Sequence, residues 1–376
     1  MLVVLFSAPN GNGMKGDQDV TNSVKVVKKH KRKMTTKLTI KTFNMKNLIL
    51  SYFQKANKIV SKRPAIPALG CALIKDGKLT VSNLDVYYSF DVPNKNINCL
   101  IDFKILFDIV KTTKGFPVIE ALPENKFKVG SLILTGEPIE DFPLDSEEYE
   151  DKGFLTKSDI DAIQNVSVFC GKDELRQAMQ GVCLNSIEEG EICATNAHVL
   201  KTTNIQNTQI KGILHQKGCS LLIEGDVLQT ENLSRLKING ECESISFRLI
   251  DARYPDYPCV IPKDNPIKIE VNKQDLIKAL EIVKPGVNKT TNLVKFYFNG
   301  TCKMKAEDID LGIEAEAEIP YSTENRLDFE IGFSHEFLNL ILKQDPSENI
   351  RFEMSEPTRA AILNQSSLLM PIMITN

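Results

Sequence analysis

The chain has no tryptophan, only four histidines, and nine cysteines that never form a C-x-x-C pair. No H-x-x-x-H spacing occurs either. A zinc or thiol-pair redox site therefore has no ligand pattern to rest on, and neither a metal nor a cofactor is expected. Scattered single cysteines fit reduced, buried thiols in a cytoplasmic protein better than a disulfide framework. Long apolar runs are also missing: none reaches the roughly 18 residues of a membrane span, so no membrane association is expected. Leu2–Ala8 is apolar but has no basic residues before it, which reads against a signal peptide.

Motifs for catalysis are equally sparse. There is no G-x-x-x-x-G-K-[ST] loop, no G-x-S-x-G elbow and no H-E-x-x-H. Gly11–Gly16 fits G-x-G-x-x-G, but no helical pattern follows and no acidic residue lies about 20 positions on, which reads against a dinucleotide site. His198 is the one histidine in an informative place. As a general base it would need an orienting partner and a nucleophile, and no such set is readable. A structural or binding role in a turn is expected for it. The enzyme alternative, a metal-dependent nuclease or transferase using His198, lacks a carboxylate or histidine cluster.

What is present is an uneven charge. Residues 1–36 carry seven basic and two acidic side chains; the rest carries 39 basic and 47 acidic, a net of −8. Residues 1–36 show no apolar period and read as a disordered basic tail. If the acidic body binds nucleic acid, its cations must gather on one face.

A threefold internal repeat decides the fold. Phe43–Ile49, Leu155–Asp161 and Val271–Ile277 each run from an apolar residue through a polar, cap-like stretch into an amphipathic helix. Leu79–Asp85, Ile192–His198 and Met304–Asp310 each read as a strand, a short turn and a further strand: Val86–Val92, Val199–Ile205 and Leu311–Ile319. Ile101–Val110, Ile213–Ile223 and Ile331–Leu342 read as a second helix, weakened in the middle copy by Gly218. Each copy thus holds strands and two helices in about 112–118 residues, too few helices to cover both faces of a doubly wound sheet, and an α+β layout is expected. The expected units are 37–147, 153–262 and 265–376, divided at acidic Asp145–Gly153 and at Pro-rich Tyr257–Pro266.

The helical segments and their flanks carry much of the positive charge: Lys46, Lys55, Lys58, Lys62, Arg63, Lys104, Lys111, Lys114, Lys172, Arg176, Lys273, Lys278 and Lys284. Lysines recurring there suggest a surface that tracks phosphate without reading bases. Lysines scattered for solubility are the competing reading. Ile250–Pro262 packs three prolines into eight residues, which excludes helix, and its Tyr254 and Tyr257 suit a half-buried seam. It reads as a stiff connector between two units, or as an ordinary Pro-rich linker.

Five stretches, which fall in the family's order along the chain, resemble the bacterial sliding clamp family, the beta subunit of DNA polymerase III. Ile250–Pro262 resembles D-G-R-[FY]-P-D-Y, with Ala252 in place of glycine. Ala194–His198 resembles A-T-D-G-H, Leu368–Met373 resembles M-P-M-R-L, Phe333–Leu338 resembles F-N-x-x-Y-L, and Arg63–Pro67 resembles R-P-x-L-P. The likeness spans Lys37 to Ile374.

The resemblance implies a non-catalytic processivity factor built from three clamp domains. Its subunits would pair head to tail into a homodimeric, six-domain ring, with helices inside and sheets outside. Duplex DNA would pass through without sequence preference, with Lys46, Lys58, Arg63, Lys172, Arg176, Lys273 and Lys278 facing it. Leu132, Leu134 and Val287 would lie at the subunit contact, where Lys284–Val287 is less apolar than usual. Short Q-L-x-L-F-like peptides of DNA polymerase, clamp loader and repair proteins would enter a groove. Carried over by position, the groove uses Met179, Thr195, Ala197, His198, Val199, Leu200, Pro255, Val260, Leu368, Met370, Pro371 and Ile372. Val199 and Cys259 stand where the family usually has arginine. A trimeric clamp is the alternative, but it has two such copies per subunit rather than three.

Overall fold

The computed structural model describes residues 47–374 apart from 114, 186–189, 207 and 325; the N-terminal tail and Lys46 lie outside the described residues. Among the described residues six α-helices appear: α1 (47–59), α2 (Phe103–Thr113), α3 (Lys157–Ser167), α4 (Gln216–Cys219), α5 (Lys273–Val283) and α6 (His335–Gln344). The first helix of each copy follows from its pattern. In α1, Tyr52, Phe53, Ala56 and Ile59 fall on one buried stripe at helical spacing. In α3 the cap is reciprocal: Asp159 N donates to Thr156 Oγ1 at 3.2 Å and Thr156 N donates to Asp159 Oδ2 at 3.0 Å. In α5, Asn272 Oδ1 accepts from Gln274 N and Asp275 N.

The second helix of the middle copy is shorter than expected over 213–223. Strand Lys211–His215 takes the first part and α4 is a single turn. Packing is tight at Gly218: a Cβ would lie 3.0 Å from Leu214 Cδ1 and 3.2 Å from Phe247 Cδ1. The equivalent segments of the other copies also begin as strand, Cys99–Asp102 and Phe329–Ser334, before α2 and α6 start.

Four antiparallel sheets carry the rest. Two of them pass without a break from one copy to the next. The eight-stranded sheet runs Cys99–Asp102, Cys71–Lys75, Lys78–Ser82, Val86–Asp91, Glu243–Arg248, Arg235–Asn239, Gly225–Gln229, Glu150–Leu155. Its joint is the pairing of Val86–Asp91 with Glu243–Arg248. The nine-stranded sheet joins the second and third copies in the same way, with Val199↔Leu369 and Leu200↔Leu368 in register. The leftover strands form two small sheets. Ile119–Leu122, Lys126–Val129 and Leu132–Thr135 make one; Ile313–Ile319, Thr301–Asp308, Leu293–Asn299 and Phe329–Ser334 make the other, in that order. Among the described residues, Leu132–Thr135 and Ile313–Ile319 are each paired on one side only. The acidic stretch expected as a divider is partly ordered sheet, since Glu150–Leu155 pairs with Gly225–Gln229.

Phenylalanine does the packing that a tryptophan could do. Phe53 lies 5.3–6.2 Å, ring to ring, from Phe90, Phe103, Phe107 and Phe116. Lys55, counted above among the phosphate-tracking lysines, is instead used inside the first joint. Its Nζ sits 2.7 Å from Glu243 Oε2, and Tyr88 donates to the same oxygen at 2.5 Å. Burial and this bond push the Tyr88 hydroxyl well above its ordinary range.

Candidate functional site

The second joint carries a cleft, and the chain builds it from three segments. The first is the hairpin Glu191–Thr195 to Val199–Asn204. Its turn is closed by side chains: Asn196 Oδ1 accepts from His198 N and Val199 N, both at 2.9 Å. Thr195 Oγ1 accepts from Ala197 N at 3.1 Å and donates to Val199 O at 2.8 Å. Ala197 sits at φ +76°, as Leu84 does at +75° in the equivalent turn of the first copy. A left-handed alanine costs roughly 1 kcal/mol that glycine avoids. Ala197→Gly is therefore expected to raise stability by about 0.5–1 kcal/mol in denaturant unfolding. A loss of stability would show that the methyl packs more than it strains.

The second segment is the connector, whose residues Tyr257–Val260 form one 3-10 turn. Tyr257 donates to Glu191 Oε2 at 2.8 Å, and Tyr254 donates to Cys193 O at 3.4 Å. The two rings meet edge to face at 6.3 Å. Burial, first of all, pushes both hydroxyls well above their usual range, so they stay neutral donors. The connector is thus pinned against the hairpin, and Tyr257 packs with Cys193, Leu200, Ala360 and Leu368 in a small core of its own. The third segment is the chain's end. Ser367–Leu369 pairs with the hairpin, Met370 N donates to His198 O at 2.9 Å, and Ile372 N donates to Gly332 O at 2.8 Å.

Between these segments lies a mainly apolar cleft of about 520 Å³. Of the groove residues carried over from sequence, Met179, Thr195, Ala197, Val199, Leu200, Pro255, Val260, Leu368 and Met370 line it. His198, Pro371 and Ile372 are not in its lining. The His198 ring turns away to stack on Phe337 of α6 at 5.7 Å, and Ile372 ties the tail to Phe329–Ser334. Sequence reasoning missed Thr358, Arg359 and Ala360, which also line the cleft. They lie in a loop between strands Asn349–Met354 and Ala361–Leu363, brought to the cleft only because those strands extend the joined sheet. Val260 is 57% exposed and Met370 40%, so the two large side chains at the mouth are not spent on the fold. Cys259 Sγ donates to Asp256 Oδ2 at 3.1 Å, which pushes its thiol up.

The basic residues are more varied than their sequence pattern. Lys58 and Arg63 are exposed at the end of α1 and beyond it. Lys172 and Arg176 are exposed but occupy the loop after α3, and Arg176 pairs with Asp173 at 3.6 Å. On α5, Lys278 is exposed beside Asp275 at 3.5 Å, whereas Lys273 donates to Asp345 O at 2.5 Å and is half-buried. Among the described residues no group of three or more His, Cys, Asp or Glu could hold a metal ion.

At the far ends of the chain, Leu132 is 46% and Ile133 63% exposed on the edge strand of the first copy; Leu134 is half-buried. In the third copy Val287 is half-buried against the core, but Ile282, Ile309, Leu311 and Ile313 are exposed. That end is more apolar than Lys284–Val287 alone suggested.

Residues 259–368 match the family model described as DNA polymerase III beta subunit, C-terminal domain. The beta sliding clamp of Rickettsia felis is 24% identical over 353 residues, covering 82% of this chain and 91% of its own. That of Chlamydia trachomatis is 23% identical over 372 residues, covering 90% and 86%. Among solved structures, the DNA polymerase sliding clamp from Pseudomonas aeruginosa superposes with a TM-score of 0.75 at 20% identity, covering 88% of this chain and 98% of its own. The DNA polymerase III beta subunit of Thermotoga maritima gives 0.75 at 19% identity, covering 88% and 98%. At these identities the structural likeness establishes the fold.

Proposed function

We infer that this chain is a bacterial-type DNA sliding clamp: a non-catalytic processivity factor of DNA replication, acting on duplex DNA and on polymerase partners. The observation that carries this most directly is the sheet layout. Sheets cross both copy boundaries unbroken, and among the edge strands left are Leu132–Thr135 in the first copy and Ile313–Ile319 in the third. An unpaired, partly apolar edge is a liability for a soluble protein unless a partner covers it. Two subunits joined head to tail would pair these two edges across each contact and close a circuit of six copies.

We keep the units 37–147, 153–262 and 265–376, with the first strand of the second unit reaching back to Glu150. In the ring the helices face the hole. Lys58, Arg63, Lys172, Arg176 and Lys278 supply exposed cations to it, while Lys273 contributes less because it caps a neighbouring carbonyl. Contacts of this kind are diffuse and phosphate-directed, so they favour no register and permit sliding. Processivity then comes from enclosure rather than affinity, and direct binding to a short duplex is weak and steeply salt-dependent. No described helix is long and apolar enough to cross a membrane; the site of action we propose is the replication fork in the cytoplasm.

The cleft at the second joint is the docking groove for short apolar peptides of polymerase, loader and repair proteins. Its walls are held by hydrogen-bonded turns and a pinned connector, and its mouth offers a methionine and a valine, a combination that suits adaptable peptide capture. The test is solution mass with particle images: a ring of two subunits is expected, and a compact monomer across micromolar concentrations overturns the assembly.

A further inference from the structure

The cleft is mainly apolar, with two charged side chains in its lining. Among its lining residues Arg359 is the one cation and Asp256 the one carboxylate. Asp256 already accepts from Cys259. Arg359 stands on the loop 355–360, whose turn is closed by Arg359 N donating to Glu356 O at 3.1 Å. Its guanidinium holds only Glu356, three residues back, at 2.9 Å, with the two side chains 71% and 53% exposed. An exposed pair between near neighbours is weak, and screening weakens it further. Glu356 therefore parks the guanidinium at the cleft without committing it, and a better-placed carboxylate can exchange for it. Arginine suits that exchange, since its planar fork can grip a carboxylate through two parallel N–H bonds.

We propose that Arg359 is the specificity-determining residue of the cleft, selecting extended apolar peptides that carry an acidic side chain beside their apolar anchors. This rests on the docking reading above. The apolar wall would supply most of the affinity, and the Arg359–carboxylate pair would choose among peptides that fit it equally well. Glu356 would be an internal competitor that lowers the preference without abolishing it.

The experiment is a double-mutant cycle on the full-length protein, read by fluorescence anisotropy at low salt. The probes are three synthetic peptides with one Q-L-x-L-F-like core, flanked by glutamate, by glutamine or by lysine. Wild type is expected to bind the glutamate peptide about fivefold more tightly than the glutamine one, near the upper limit for an exposed ion pair. The lysine peptide should bind weakest. In Arg359→Gln the glutamate-to-glutamine ratio should fall toward one; in Glu356→Gln it should rise above the wild-type ratio. The preference should shrink as salt is raised. If the glutamine peptide binds wild type well but all three bind alike, Arg359 does not select and the docking reading stands. If the lysine peptide binds best, Asp256 is the selector and the proposal is overturned. If none of the peptides binds wild type, the docking reading falls and this proposal with it.

Discussion

Leu132→Asp is expected to convert the proposed dimer to monomer at micromolar concentration while each subunit keeps its melting temperature within about two degrees. The size rests on where the residue sits. Leu132 lies on an edge strand with one neighbour, already 46% exposed in the single chain, so a carboxylate there meets water in the monomer and costs the fold little. In the proposed dimer the same carboxylate would be buried against the third copy, where Ile309, Leu311 and Ile313 are exposed in the single chain. Burying an unpaired charge at an interface costs at least about 3 kcal/mol, roughly a hundredfold in the dissociation constant. Ile133→Asp, at a side chain 63% exposed, is a useful second variant because it faces the other side of the strand. Sedimentation equilibrium separates the outcomes. A Leu132→Asp protein that remains dimeric places the contact elsewhere.

Met370→Ala combined with Val260→Ala is expected to weaken capture of a Q-L-x-L-F-like peptide severely, if the cleft is the proposed docking groove. Both side chains line the cleft and both are substantially exposed, unlike Leu200 and Leu368, which also serve the small core beneath. Truncating them removes contact area without opening a cavity in the fold. Apolar anchors at peptide pockets commonly cost about 2 kcal/mol or more each on truncation, near 30-fold in affinity. The pair is expected to lower affinity by at least about a hundredfold, allowing for non-additivity between neighbours. Isothermal calorimetry of wild type and variant with one peptide decides it. Pro371→Ala is a control outside the cleft lining, and unchanged peptide affinity in the double variant would move the binding site elsewhere.

The repeat was legible because its signals are local. A strand, an Asn- or Asp-bearing turn and a second strand recur in step, and Thr156 or Asn272 marks where a helix must begin. The connector was legible because three prolines and two tyrosines restrict the backbone and demand partners for the hydroxyls. What sequence could not convey was set by distant pairing. Arg359 reaches the cleft because strands 349–354 and 361–363 extend a sheet begun by another copy. Lys55 is drawn from the helical surface into a joint by Glu243, 188 residues away. His198 has the right position in its turn but points at Phe337, a choice made by α6. At the one-turn α4, Gly218 lies against Phe247, a neighbour that no window of local sequence contains. Leu311–Ile319 reads as one strand in the sequence, but the strand begins only at Ile313; Ile309 and Leu311 sit in the turn before it, and the sheet order leaves Ile313–Ile319 on an edge.

Enclosure of DNA is the claim on which the rest depends, and retention on circular DNA tests it most directly. Labelled protein is loaded onto a nicked circular duplex by its loader, freed of excess by gel filtration, and the circle is then cut once. The expected result is full retention on the circle, rapid loss on linearisation, and retention again when both ends are blocked by bound protein. Protein that stays on the open linear duplex, or that leaves the intact circle at the same rate, binds DNA by contact alone and contradicts a closed ring.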